Sequence, residues 1–129
     1  MSIIVKPDGI SPPTGTYSHG VMVPPGTRLF FVAGQVPIAA DGSVPRDFTE
    51  QTELVWHNIR AILAAADMTL ENVVKMQGFI TNAVYRDRYR AVRDRMLGTA
   101  RPASTLLVVV ALGQPEWCVE IEAVAAAPA

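Results

Sequence analysis

The chain has 129 residues, half of them hydrophobic, with a mean hydropathy of +0.24 and a formal charge of −1 at pH 7. That length fits a single domain over residues 1–129, and the missing basic excess argues against nucleic acid as a partner. Cys118 is the only cysteine, which excludes an intrachain disulfide framework or a thiolate metal cluster and makes the cytoplasm the expected location.

Pro7 and Gly9 interrupt the N-terminus before a signal-peptide core develops, and the later apolar runs are too short for the roughly 20 residues of a membrane helix, so no membrane association is expected. Residues 8–16, with Gly9, Pro12, Pro13 and Gly15, read as an irregular lead-in. Tyr17 to Val23 and Leu29 to Ala33, joined by Pro24-Pro25-Gly26, predict an antiparallel hairpin. Asp47 or Thr49 then caps a helix over Gln51 to Ala66, whose Trp56, Ile59, Leu63 and Ala66 recur at helical spacing. A third strand follows over Asn72 to Thr81. A second helix, Arg86 to Met96, has Tyr89, Val92 and Met96 on one stripe and a charged opposite face.

Thr105 to Leu112 is almost continuously β-branched or leucine, the pattern of a central strand buried on both faces. After a turn at Gly113-Gln114-Pro115, Cys118 to Ala125 alternates as a last strand, with the alanine-rich tail as its end. The order is β-β-α-β-α-β-β, an α+β domain. Its apolar surplus exceeds what one small core absorbs, which points to association between subunits.

Residues two apart on a strand share a face, so Glu120 and Glu122 project together. Two readings stand at this point: a polar face on an edge strand, or a carboxyl lining a cleft, where burial raises its pKa into the range of a general acid or base. No metal site is expected, since His19 and His57 lie far apart in sequence and Cys118 has no ligand partner. Neither a nucleophile elbow nor a phosphate-binding glycine loop is present.

Four segments, Tyr17-Ser18-His19-Gly20-Val21, Phe31-Val32-Ala33-Gly34-Gln35-Val36-Pro37, Arg101-Pro102-Ala103-Ser104-Thr105 and Val119-Glu120-Ile121-Glu122-Ala123, resemble in order and spacing those of the RidA/YjgF family, also called endoribonuclease L-PSP. The resemblance implies a chorismate-mutase-like fold, a mixed sheet packed on two helices, and a homotrimer with a central barrel and clefts for a small-molecule ligand between subunits. It implies hydrolysis of reactive imines or enamines to a carbonyl compound and ammonia, with neither metal nor cofactor. By the same resemblance Glu120 is the water-positioning carboxylate and Tyr17 the cleft tyrosine, and Gly34, next to Ala33 in the pocket, is where backbone approaches the ligand.

The substrate side departs from the family pattern. Ser104 stands where the family has a carboxylate-binding arginine, Leu106 where it has a cysteine, Ala33 where it has a serine, and Arg90 aligns with the usual asparagine of the second helix. Loss of a charge-assisted contact of roughly 1.5–3 kcal/mol is expected to weaken carboxylate binding about tenfold to more than a hundredfold. The expected substrate is therefore a small imine or enamine other than the usual 2-imino acids, unless Arg90 or Arg101 restores the charge. The alternatives are a non-catalytic trimer that binds a metabolite in the same clefts and, ranked third, cleavage of RNA. Glu122 is given no chemical role.

Overall fold

The computed structural model describes residues 2–129, and the expected order of elements is present with one addition at the N-terminus. The strands are β1 (Ile3–Val5), β2 (Gly20–Met22), β3 (Arg28–Gln35), β4 (Val73–Ile80), β5 (Ala103–Val108) and β6 (Val119–Ala127), and the helices are α1 (Phe48–Ala65) and α2 (Arg86–Leu97). Among the described residues no helix is long and apolar enough to cross a membrane.

Asp47 caps α1, its carboxylate accepting the Glu50 N–H at 3.1 Å, so one otherwise orphaned donor of the first turn is satisfied. The face of α1 that carries Val55, Trp56, Ile59 and Leu63 is buried on the sheet with Val32, Ile121, Ala123 and Ala125. The second helix buries Tyr89, Val92 and Leu97 in the same core and ends at Gly98, whose φ of 57° suits a residue without Cβ. Its buried face also takes in Arg93, at the i+4 position from Tyr89.

β3, β6, β4 and β5 form a four-stranded mixed sheet in that order, with β4 and β5 parallel and the other pairs antiparallel. The parallel pair is bridged by α2, the β-α-β connection that parallel strands require. Both helices pack on one face of this sheet. The other face carries Phe31, 72 % exposed, with Leu29 and Leu107, also exposed.

Three expectations are corrected. The hairpin does not form: β2 pairs with β1 (Ile3 opposite Met22), while β3 pairs with β6. Pro24 and Pro25 have no N–H to donate into a ladder, and the turn they make with Gly26 leads β3 away from β2. Second, the Thr105 to Leu112 run lies at the sheet edge rather than its centre, and its strand stops at Val108, with Val110 fully exposed. An apolar run signals that both faces are to be covered without specifying by which chain. Third, the strand bearing Glu120 and Glu122 is internal, between β3 and β4, which removes the edge-strand reading of that pair.

Candidate functional site

Glu120 is half-buried on β6, with Phe79 as its register partner on β4 and Leu107 beyond it on β5. On the other side β3 is bulged. Val32 pairs with Ala123 and Gln35 with Ile121, so Ala33 and Gly34 together stand against the single Glu122. The Gln35 side-chain amide donates to the Ala33 carbonyl at 3.0 Å and closes the bulge on itself.

Gly34 is what gives the carboxylate its place. A Cβ built there would overlap Glu120, so the missing side chain lets Glu120 lie directly against the β3 backbone. Burial pushes the Glu120 carboxyl above the ordinary carboxylate range, and the like charge of Glu122, two residues along the same face, adds to the rise. A carboxyl so placed can accept a hydrogen bond from water and holds its proton to higher pH than a free glutamate does.

Tyr17 belongs to a second cluster, at the β5 edge. Ser18 bridges Ala103, its N–H donating to the Pro102 carbonyl at 3.0 Å and its hydroxyl to the Arg101 carbonyl at 2.6 Å, which fixes the lead-in beside β5. The Tyr17 hydroxyl oxygen accepts the Thr14 N–H at 3.3 Å and lies 3.5 Å from the Thr14 hydroxyl. Those contacts, with smaller help from the charges of Arg90 and Arg93, hold the phenol below its ordinary pKa. Tyr17 and His19 meet edge to face and, with Lys6, Pro12 and Arg101, help line a cleft of about 420 Å³.

The remaining residues singled out in the sequence divide between these clusters. Ala33 is exposed beside Gly34. Ser104 and Leu106 sit on the helix-side register of β5, opposite Met76 and Gly78, and Leu106 packs against the hydrophobic core. Arg90 is exposed on α2, and Arg101 spends its Nη1 on the Gly98 and Ala100 carbonyls, both at 2.8 Å. A single chain thus brings Ala33, Gly34 and Glu120 together, and Tyr17 near Arg90, but keeps the two groups on different strands and different faces. Among the described residues no group of three or more His, Cys, Asp or Glu is arranged to hold a metal ion.

Arg93 is the residue that sequence reasoning passed over. It is 5 % exposed, close enough to Gly15 that a Cβ there would lie 3.4 Å from its Nη2. The signal was present, since 89, 92, 93 and 96 follow the i, i+3, i+4, i+7 spacing of one helix face.

Residues 9–127 match the sequence pattern of the family described as Endoribonuclease L-PSP. The chain is 31 % identical over 116 residues, 86 % of each protein, to an Escherichia coli K12 protein that carries the name reactive intermediate deaminase TdcF. The crystal structure of YyfB from Yersinia pestis, a Rid-family protein of unknown function, superposes with a TM-score of 0.85 at 28 % identity and covers 96 % of this chain and 97 % of that one. A Thermotoga maritima protein superposes at 0.75 with 34 % identity over the full length of both. With its motifs, its two helices on a mixed sheet and this full-length agreement, the chain belongs to the Endoribonuclease L-PSP family, the group also called RidA/YjgF or Rid.

Proposed function

We propose that this protein hydrolyses small imines or enamines, and that it does so as a homotrimer whose sites are completed between neighbouring copies. The observation that carries the reading is Glu120: a half-buried carboxyl with a raised pKa, seated against the bare backbone of Gly34 at a bulge. Water adds across the C=N bond, a proton passes to nitrogen, and the carbinolamine collapses to carbonyl compound and ammonia or amine. An imine carbon is already electrophilic, so orienting water and moving one proton are the main tasks left to the protein.

The assembly part of the proposal rests on what one chain leaves unfinished. Tyr17 stands at the β5 edge and Glu120 on the open face, and a neighbouring copy seated on that face would cover Phe31 and Leu107 as it brought the two clusters together.

The test is turnover of a panel of imines generated in situ from amino acids and simple amines, read as ammonia and carbonyl product. Glu120→Gln is expected to lower the rate by about 10² to 10⁴. A panel that shows no turnover above free solution rejects the hydrolase. A second reading, ligand binding without turnover, is favoured by Leu106 packing into the core and by the uncharged Ser104, which leave the β5 side short of reactive groups. It predicts thermal stabilisation by a ligand with no product formed.

A further inference from the structure

Arg93 is a charged side chain with an incomplete set of partners. Its side chain is 6 % exposed, whereas Asp94, which accepts from Arg93 Nε at 3.1 Å and Nη2 at 3.0 Å through a single oxygen, is 47 % exposed. Nη1 has no hydrogen-bond partner among the described residues and is not sealed from solvent, so that edge of the guanidinium reaches the surface. A guanidinium carries five donors, and with a half-solvated carboxylate on one edge the remaining donors are left to water or to an acceptor that displaces it.

Register shows where that acceptor would lie. Tyr89 is packed onto Gly78, whose β5 partner is Leu106. The connection from β4 to the parallel β5 runs α2 back against the strand direction, so one turn further on, at Arg93, the helix lies about two strand residues earlier, over Met76 and its β5 partner Ser104. Gly15 and Tyr17 flank the guanidinium from the lead-in, and Gly15 adds no side chain between it and the surface.

We propose that Arg93 is the anion-binding residue of the Tyr17 half-site, supplying from α2 a positive charge that no residue of β5 provides. The inference rests on the Rid reading for the site but not on turnover. It also assigns the compensating charge to neither arginine that the sequence offered: Arg90 is exposed, and Nη1 of Arg101 is bonded to backbone carbonyls.

The experiment is calorimetric titration of the intact assembly with pyruvate and with its neutral amide. Wild type is expected to prefer pyruvate, and Arg93→Met to weaken pyruvate binding about ten- to a hundredfold while leaving the amide within twofold. Arg93→Lys keeps the charge and is expected to lose less, which guards against a mere folding defect. The pair Arg93→Phe with Ser104→Arg is expected to recover pyruvate binding. Equal affinity of wild type for the two probes overturns the proposal, as does a loss in Arg93→Met that is the same for both. Charge-selective binding without any imine turnover leaves this assignment standing and removes the hydrolase.

Discussion

Replacing Gly34 by alanine separates the geometry of the site from the stability of the fold. The added Cβ would overlap the Glu120 carboxylate, with Cδ at 3.0 Å and Cγ at 3.2 Å, so the outer part of that side chain has to swing aside. A displacement of about 1 Å at a reacting group costs on the order of 10² in rate, or about 2.7 kcal/mol of barrier. Stability should hardly change. Gly34 has no positive φ, so alanine narrows the unfolded ensemble and contributes about 0.4–1 kcal/mol, while an off-rotamer Glu120 costs about 0.5–1.5 kcal/mol. The two nearly cancel, and a residual 1 kcal/mol moves the melting temperature by only about 4 °C. Ammonia release from an imine made in situ, run beside a thermal melt, reads both quantities. A variant that keeps its rate within twofold, or one that loses rate only in proportion to unfolding, would refute the claim that Gly34 positions the carboxylate.

The remaining outcomes concern the pH profile and the core. As the proposed base Glu120 would work only when ionised, and its pKa is raised, so the acid limb of the rate profile should be shifted up from that of an ordinary carboxylate. Glu122→Gln removes the smaller of the two causes, so the limb should move part of the way down; an unmoved limb would mean the charges do not interact. The linkage has the matching sign: with the folded pKa raised, this group's contribution to stability is present below the unfolded value and is lost as pH rises through the folded one. In the core, Gly78→Ala drives a Cβ into the buried Tyr89 ring and should cost about 1–3 kcal/mol in urea unfolding. Tyr89→Phe removes a buried hydroxyl that has no partner and should be neutral or stabilising by about 1 kcal/mol, and the double variant should recover part of the Gly78→Ala loss.

Much of the fold was legible because it depends on short-range periodicity. The 3.6-residue recurrence of Trp56, Ile59 and Leu63 marked α1, and the two-residue alternation from Val119 to Ala123 marked β6 and placed Glu120 and Glu122 on one face. Strand partners were not legible. The proline turn at Pro24-Pro25 looks the same whether it joins neighbours or sends β3 across to β6, and the apolar β5 looks the same at an edge as at a centre.

By itself the sequence determined most of the elements, the shared strand face of Glu120 and Glu122, and the family, since each is written in local spacing or in ordered motifs. Only the tertiary structure decided that β6 is internal, that the β3 bulge presents Gly34 to Glu120, and that Arg93 is buried beside Tyr17. The reason is physical: a side chain's chemistry is fixed by its covalent structure, but its solvation and neighbours come from contacts between segments far apart in the chain, and those contacts set pKa, burial and reach.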